Sequence, residues 1–296
     1  MDWDDMRIAL AIARHGSVSA AARALRSTQP TVSRRLQALE RRSGVRLFDR
    51  QAGGLTPTPL CVGLVESLER MEDGALTVER RIAARDTGLQ GAITVTSLDW
   101  LGDWVVAPVA AGFGARHPSV TVELLNDWRL FNLSRREADV AFRFGSSGQE
   151  DQVERKVADV AYGLYASPGY LEAHGPPDFD AGCAGHAVAA LHEGAGRVVF
   201  VDWLRALAPA ARTVLRANGL SAHLAAAEAG HALAVLPRVM GDARPRLVHV
   251  PAPLPGPVRA VRLGVHADLR ATPRIRAFID FAAAELKARA GALNPG

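Results

Sequence analysis

Apolar residues at the start of the chain recur every three or four positions, which is the period of a helix. Polar and glycine-containing breaks divide this pattern into three helices. Two short helices separated by a tight break, the second opening with small polar residues, form a helix-turn-helix. The three predicted helices cover Trp3–His15, Ser17 to about Leu25, and Thr28–Ser43. Two predicted strands follow, over Val45–Arg50 and Leu55–Thr56, and a turn at 51–54 joins them into a β wing.

A single long helix is predicted next, from about Pro57 to Asp86. Its apolar positions start at Cys61 and repeat at intervals of three and four, which is the a/d seam of a coiled coil. Dimerisation is favoured because the chain has no second heptad helix, and packing against the protein's own body is the alternative. The predicted dimer seam consists of Leu64, Leu68, Met71, Ala75, Val78 and Ile82.

Short apolar strands alternate with helical stretches after a predicted linker over 87–91. This alternation of strands and helices is typical of βα units with a mostly parallel sheet. The fold class is therefore α/β, preceded by an N-terminal all-α winged helix-turn-helix and a long linker helix. The predicted strands cover 92–96, 120–124, 139–143, 187–191, 198–201, 233–236 and 259–265, and helices cover about 99–116 and Pro273–Ala288.

The distribution of charge indicates a function for the N-terminal helices. The net charge of the 296 residues is only +4, but residues 20–50 hold eight arginines against Glu40 and Asp49. A local basic patch is typical of nucleic-acid binding, although on charge alone a solvated arginine face is an equal alternative. The helix-turn-helix beneath the patch favours binding to DNA.

Other functional classes are not supported by the sequence. The acidic first residues do not resemble a secretory signal and no stretch approaches the roughly 20 apolar residues of a membrane span, so we expect a cytoplasmic protein without membrane contact. Cys61 and Cys183 have no close partner, which disfavours a disulfide or a redox sensor. His174, His186 and His192 match no metal motif. Phosphate loops, nucleophile elbows and zinc-protease motifs are also missing, so we expect no catalytic residue, no cofactor and no enzyme activity.

Three N-terminal motifs together resemble the DNA-binding region of the LysR-type transcriptional regulators of bacteria. They are S-V-S-A-A-A-R-A-L at 17–25, T-Q-P-T-V-S-R-R-L-Q-A-L-E at 28–40 and G-V-R-L-F-D-R at 44–50. Looser counterparts at 136–145, 165–168 and 230–237 extend the resemblance over nearly the whole chain. The sequence departs from the family pattern at Thr58-Pro59, at His231-Ala232 and in the acidic, aromatic stretch Asp99–Trp104.

The resemblance implies a two-lobed, periplasmic-binding-protein-like effector domain, with two crossover strands and a small-molecule effector in the cleft. It also implies a homodimer that pairs into a homotetramer and binds promoter DNA. RNA polymerase is a further candidate partner. The implied boundaries are 1–58 for the winged helix-turn-helix, 59–88 for the linker and dimerisation helix and 92–296 for the effector domain, with lobe one at 92–160 and 267–296 and lobe two at 161–266.

A recognition helix places its N-terminal residues against base edges in the major groove. Gln29 suits adenine, Arg34 suits guanine, and Pro30 or Thr31 suits a thymine methyl group. For Gln29 and Arg34 the alternative is a solvated helix face. A dimer would read an interrupted inverted repeat, with half-sites roughly 34 Å or a multiple apart. The predicted DNA contacts, including phosphate contacts, are Ser17, Ser19, Thr28, Gln29, Pro30, Thr31, Ser33, Arg34, Arg35 and Arg50.

Ligands of parallel sheets bind beyond the carboxyl ends of the strands, near helix N-termini. On this basis the predicted effector contacts are Thr96, Ser97, Trp100, Arg143, Phe144, Phe200, Trp203 and Asn218. The alternatives are a helix cap for Ser97, an ion pair with a surface acid for Arg143 and core packing for Trp100. The rival functions are a small-molecule-binding protein or enzyme on the same α/β body, and a regulator that responds to no ligand.

Overall fold

The structure is a computed structural model that describes residues 2–51, 54–84, 88–127, 133, 137–146, 148, 151–193 and 198–295, except the side chains of 51 and 79–84. The chain divides into two compact units, Met1–Ile82 and Ala83–Gly296. Within the described residues, no helix is long and apolar enough to cross a membrane. Several predicted features lie outside the described residues: the wing turn at Ala52 and Gly53, the end of the long helix at Asp86, the linker at Thr87, Arg136, and the side chain of Ile82.

The first unit opens with the three predicted helices. Each begins at a polar cap, because the side chains of Asp2, Ser17 and Thr28 accept hydrogen bonds from backbone N–H groups of the first turns. Gly16 and Gly44 end the first and third helices with φ of 70° and 72°, a left-handed conformation that glycine adopts without strain. The helices are α1 (Trp3–His15), α2 (Val18–Ala24) and α3 (Gln29–Ser43).

A two-stranded wing and a long helix complete this unit. Strands β1 (Phe48–Gln51) and β2 (Gly54–Pro57) pair antiparallel. The predicted start of β1 at Val45 is wrong, because the carboxylate of Glu40 accepts the N–H groups of Leu47 and Phe48 at 2.8 and 3.2 Å and holds the chain in a loop.

Helix α4 (Pro59–Ala84) begins two residues later than the sequence predicts. Thr58 acts as its cap, since its Oγ1 accepts the N–H of Cys61 at 3.2 Å, and Pro59 occupies the first helical position. The departure from the family pattern at Thr58-Pro59 therefore fixes the start of the helix. The core of the unit joins α1, α3, the wing and α4 through Ile8, Leu10, Ile12, Val32, Leu36, Leu39, Leu47, Phe48, Cys61 and Leu68.

The second unit alternates strands with helices. In chain order its described elements are β3 (Gly91–Ser97), α5 (Asp99–Leu101), a π-helical turn (Gly102–Val106), α6 (Ala107–Arg116), β4 (Val120–Asn126), β5 (Val140–Phe144), β6 (Gln152–Ala166), α7 (Pro168–His174), β7 (Ala187–Leu191), α8 (Val199–Leu207), β8 (Arg212–Ala217), α9 (Leu220–Glu228), β9 (Leu233–Pro237), α10 (Arg238–Gly241), β10 (Val248–Val250), β11 (Val258–His266), a 3₁₀ turn (Ala267–Leu269), α11 (Pro273–Ala288) and α12 (Ala290–Leu293).

The strands form two small parallel sheets that share a pair of long strands. Their order is β4-β3-β5-β11-β6-β9-β7-β8, with β10 beside β6. Within this order β4-β3-β5 and β9-β7-β8 are parallel, whereas β11 and β6 run antiparallel to each other and to their neighbours. The expectation of a mostly parallel sheet is therefore wrong for the centre, where the two crossover strands implied by the family resemblance lie.

One predicted strand is a helix, and three strands, β6, β8 and the three-residue β10, were missed. Residues 198–201 begin α8, in which Phe200, Leu204 and Leu207 are buried at helical spacing. Four consecutive apolar residues do not distinguish a strand from a buried helix start, and this run was too short to decide. Strands β6 and β8 were missed because charged residues, such as Arg155, Lys156 and Arg216, interrupt their apolar pattern. The final helix, Pro273–Ala288, is confirmed.

Candidate DNA-binding surface and ligand cleft

The start of α3 presents polar side chains to solvent. Gln29, Pro30 and Arg34 are exposed, and the hydroxyls of Thr28 and Thr31 lie 2.8 Å apart. These short side chains leave the first turn of α3 open, while Val32, Leu36 and Leu39 bury its opposite face. The helix can therefore enter a groove with its N-terminal end without exposing its core.

The remaining predicted DNA contacts lie on α2, α3 and the wing. Ser17 caps α2 by accepting the N–H of Ala20 at 3.1 Å, and its hydroxyl hydrogen remains available to a phosphate. Ser19 is exposed in the first turn of α2, Ser33 is half-buried on α3, and Arg50 is exposed on β1. Their contact with DNA stays a prediction.

Arg35 has a structural partner that the sequence did not indicate. Its Nε donates to Oδ1 of Asp5 at 2.9 Å, and Arg42 forms an ion pair with the other carboxylate oxygen of Asp5. Asp5 lies on α1 and is only 4% exposed. This pair of arginines holds the recognition helix to α1, so the phosphate contact predicted for Arg35 would have to share a guanidinium that is already engaged.

The predicted dimer seam on α4 divides into a buried and an exposed part. Leu68 is 8% exposed and, with Cys61, belongs to the core of its own unit. Leu64, Met71 and Val78 keep 39%, 45% and 58% of their surface exposed. For Leu68 the alternative of packing against the protein's own body therefore holds, whereas the other three side chains are exposed and their role in a dimer stays a prediction.

The exposed residues form a continuous row along α4, which we call the α4 stripe: Leu60, Leu64, Met71 and Val78. Ala75, between the last two, is half-buried. Arg14 of α1 fixes the helix beside this row by donating to Glu69 at 3.2 Å and to Glu72 at 2.7 Å. An ordered helix with an uncovered apolar row is typical of a surface that another helix covers.

The second unit contains a cavity of about 400 Å³ at the carboxyl ends of its parallel strands. The loops after β3, β7 and β8 lead into α5, α8 and α9, and the first residues of all three helices line it together with one residue of β11. This volume is within the range of small-molecule sites. The lining residues are Leu98, Asp99, Trp100, Leu191, His192, Val198, Phe200, Asn218, Gly219, Leu220 and Arg259.

A row of aromatic rings forms one wall of this cleft. Phe144 stacks on Trp100 at 5.7 Å between ring centroids, Tyr162 meets Trp100 edge-on at 5.9 Å, and Phe200 stacks on Tyr162 at 5.1 Å. Arg259 also lies over the ring of Phe144, with its guanidinium carbon 3.9 Å from the ring centroid. The wall thus runs from β5 to α8 across the crossover strands.

Arg143 lies beside this wall, at the end of β5. Its guanidinium donates to Oγ1 of Thr96 at 2.9 Å and to the carbonyl oxygen of Phe142 at 3.0 Å. Burial lowers the pKa of Arg143 to about 10, and the attraction of Asp127 opposes this shift. The group remains a cation near neutral pH, held by strand ends rather than projecting into the cavity.

The predicted effector residues therefore separate into three groups. Trp100, Phe200 and Asn218 line the cavity. Phe144 stacks on Trp100, Arg143 donates to Thr96, and the hydroxyl of Ser97 is buried without a hydrogen-bond partner among the described residues. Trp203 is half-buried on α8 and is not among the lining residues. Ser97 does not cap α5, because the cap position is Leu98 and no side chain bonds there.

Among the lining residues that were not predicted from the sequence, Arg259 is the most important. It lies within a strand predicted only as an element, in the sequence V-R-A-V-R-L-G-V-H. The available signal was a pair of arginines, Arg259 and Arg262, in a strand whose other residues are mostly apolar, because a charged side chain next to a core needs water, a partner or a ligand.

Both cysteines are free and buried. Burial raises the pKa of the Cys183 thiol, and nearby Asp178 adds to this, so the reactive thiolate is disfavoured. No group of three or more histidine, cysteine, aspartate or glutamate side chains within the described ranges is arranged to hold a metal ion.

A winged helix-turn-helix in one unit and a ligand-sized cleft in an α/β unit define a DNA-binding, ligand-sensing transcription regulator. Two family models specify the class further. The model described as "Bacterial regulatory helix-turn-helix protein, lysR family" matches residues 3–61, and the "LysR substrate binding domain" matches residues 86–287. The chain belongs to the LysR family of bacterial transcriptional regulators.

Individual relatives agree with this assignment. The chain is 27% identical over 257 residues to the "Mau operon transcriptional activator" of Paracoccus denitrificans, covering 85% of this chain and 87% of that protein. Two further curated regulators align over only 51% and 61% of their own length. These relatives are named as transcriptional regulators.

Solved structures share the fold. The full-length virulence activator AphB of Vibrio cholerae superimposes with a TM-score of 0.66 at 23% identity, covering 96% of this chain and 99% of that one. Full-length CbnR in complex with its target DNA superimposes with a TM-score of 0.59 at 20% identity, covering 95% of this chain and 99% of that one.

Proposed function

We propose that this LysR-family regulator binds an inverted repeat in promoter DNA as a homo-oligomer and that a small molecule in its cleft changes this binding. The observation that carries the proposal is the exposed N-terminal part of α3, where Gln29 and Arg34 project from a helix fixed to α1 by Asp5. Arg34 has the donors for guanine and Gln29 has the donor and acceptor for adenine. The Ser17, Ser19, Thr28, Ser33 and Arg50 side chains would position the protein on phosphates.

The α4 stripe supports the oligomeric part of the proposal. Four large apolar side chains in a row on one helix have no cover among the described residues of the chain. Pairing with the same row of a second copy, in a parallel or antiparallel orientation, buries these four side chains. It also places two recognition helices in one dimer. Two such dimers would form the proposed homotetramer, and contact with RNA polymerase belongs to the same proposal.

The cleft supports the sensing part. Its walls come from both parallel sheets and from a crossover strand, so a molecule bound there contacts all three. A ligand that binds one arrangement of these walls more tightly than another shifts the population between them. The proposed division is a DNA-binding region at 1–58, a dimerisation helix at 59–88 and an effector region at 92–296.

Selection of binding sites from a random DNA pool by the full-length protein tests the proposal. We expect recovery of an interrupted inverted repeat with half-sites one helical turn or a multiple apart. Arg34→Ala should weaken binding to the recovered site by about 1–3 kcal/mol and relax the preference at one base position. Arg246→Ala, which removes an exposed arginine of the second unit, is the matched control. Recovery of unrelated sequences, or of sites that Arg34→Ala binds with unchanged preference, would contradict the proposal.

A further inference from the structure

Helix α9 begins at the cleft with an uncompensated N-terminus. Asn218, Gly219 and Leu220 line the cavity, and Gly219 is the cap residue of this nine-residue helix. No side chain caps the first turn and no acidic residue lies in it. A helix N-terminus carries about half a positive charge and has backbone N–H groups without intrahelical partners. This side of the cavity therefore attracts an anion.

The other helices that open on the cavity are different. Asp99 lies in the first turn of α5, and Asp202 lies in the first turn of α8, so each has a carboxylate that offsets its helix dipole. Asp99 also lines the cavity and is exposed to it. Its negative charge would repel a second anionic group of a ligand, which favours a single negative charge located near α9.

The buried hydroxyl of Tyr162 is a second, independent indication of a ligand, because it lacks a hydrogen-bond acceptor among the described residues. Tyr162 is 2% exposed, and among the described residues its hydroxyl has no hydrogen-bond acceptor. Its ring contacts Trp100 and Phe200, which line the cavity, and its hydroxyl lies close enough to the guanidinium of Arg259 to interact with it. Buried donors rarely lack partners in native proteins. Tyr162 itself is not among the lining residues, but Arg259 is, so a ligand oxygen bound to Arg259 is the acceptor that would satisfy this hydroxyl.

Apart from His192, the rest of the lining is apolar. It consists of Leu98, Trp100, Leu191, Val198, Phe200 and Leu220. Indole and phenyl faces in one wall favour a flat ring that can stack on them.

We propose that the effector is an aromatic monocarboxylate whose carboxylate lies between the N-terminus of α9 and the guanidinium of Arg259. Its ring packs against Trp100 and Phe200. This inference rests on the proposed function, because it assumes that the cleft is the effector site, and it specifies the chemical class that the site accepts.

Calorimetric titration of the full-length protein tests the charge requirement. The probes are benzoate, phenylacetate, 2-naphthoate and 4-hydroxybenzoate, each paired with its neutral carboxamide. We expect at least one acid to bind, and each acid that binds to do so at least about tenfold more tightly than its amide, because a charge-assisted hydrogen bond is roughly twice as strong as a neutral one. Amides that bind as tightly as the acids, or a panel in which no acid binds, would overturn the proposal.

A matched pair of variants locates the carboxylate. Ser221 is exposed at the second position of α9, so Ser221→Asp places an acid in the first turn without disturbing the core and even favours the helix. We expect Ser221→Asp to weaken binding of the acid by about three- to thirtyfold. Ser221→Asn, which has the same shape without the charge, should bind the acid like the unchanged protein. Equal affinities of the two variants for the acid would place the anion elsewhere and overturn the proposal.

The failure of this inference is distinguishable from failure of the proposed function. Acids that bind with the expected charge requirement but leave DNA affinity unchanged would support the ligand class and contradict the sensing role. Neutral or cationic compounds that bind the cleft and change DNA affinity would support the sensing role and overturn the ligand class.

Discussion

Asp5 shows how one buried side chain organises the DNA-binding unit. It is a charged residue among the apolar positions of α1, and its carboxylate is satisfied by two arginines of α3. The sequence identified both arginines as part of a basic patch, but it did not distinguish those that hold the helix from those that face solvent. That distinction depends on which side chains α1 brings within reach, and a single sequence does not contain this information.

Replacement of Asp5 by asparagine removes the charge that both arginines share. We expect Asp5→Asn to lower the free energy of unfolding of the N-terminal unit by about 2 kcal/mol, because hydrogen bonds between charged groups contribute roughly 1.5–3 kcal/mol. Urea denaturation followed by circular dichroism measures this change. Asp4→Asn is the control, since Asp4 has a 55% exposed side chain, 3.7 Å from Arg35. Equal stability of Asp5→Asn and Asp4→Asn would contradict the stabilising role of Asp5.

Helix ends were the most predictable elements, and strands with charges were the least. Ser17, Thr28 and Gly44 carry their structural signal locally, so α2 and α3 could be located from sequence alone. The start of α8 and the whole of β6 could not, because their environment decides them. Strand β6 runs between β11 and β9, and these neighbours lie far from it in sequence.

The α4 stripe makes a direct prediction about assembly. We expect Met71→Glu to reduce the oligomer to a smaller species and to weaken operator binding at least about tenfold, because a buried charge without a partner is strongly unfavourable in a helix pair and one recognition helix binds DNA poorly. Multi-angle light scattering after size exclusion measures the mass.

Val62→Glu provides the control for this variant. Val62 is 61% exposed on the same helix but lies off the stripe. It should therefore keep the mass of the unchanged protein. If Met71→Glu keeps that mass too, or if Val62→Glu loses it, the stripe is not the contact between copies.

Helix α9 also carries a pH-sensitive residue in its core. His223 is 1% exposed, and burial lowers its pKa although hydrogen bonds to the carbonyl oxygens of Ala217 and Ala190 partly oppose this. The unfolded chain therefore binds a proton at a higher pH than the folded one, and stability falls as the pH drops through the ordinary histidine value of about 6.5.

The prediction is a lower melting temperature at about pH 5.5 than at about pH 7.5, with a smaller difference in His223→Gln. Differential scanning calorimetry at several pH values measures it. His231→Gln, at an exposed position, should keep the full difference. A His223→Gln protein with an unchanged pH dependence would show that this histidine does not titrate with unfolding.

The cleft is a property of the whole second unit. Its residues come from four separate parts of the sequence, and three of the eight predicted effector residues line it. The strand-end rule found Trp100, which lies in α5, the helix that follows β3. Phe200 was predicted from a strand over 198–201 that is the start of α8, and Asn218 follows β8, a strand that was missed. The rule missed Arg259 because this residue lies near the amino end of the antiparallel crossover strand β11, whereas the rule considers only the carboxyl ends of parallel strands.

Contacts across the same unit connect its two parallel sheets away from the cavity. Arg244 lies 5.0 Å from the ring centroid of Trp104 and 3.8 Å from Glu228, so it joins the π-helical turn to α9. Arg289 donates to the carbonyl oxygens of Trp104 and Val105 at 3.2 and 3.3 Å. The turn that follows Trp100 is thus attached to α9 and to the C-terminal end of α11, and a ligand that moves Trp100 would act on these contacts together.

The most direct test of the account is a fluorescence-anisotropy titration of the full-length protein with duplex DNA from upstream of its own gene, beside a scrambled duplex, with and without the tightest-binding carboxylate. The account predicts binding to the upstream duplex at least about 10³-fold tighter than to the scramble, and a shift of the upstream affinity alone when the carboxylate is added. Equal, weak and steeply salt-dependent binding to both duplexes, unaffected by the carboxylate, would contradict it.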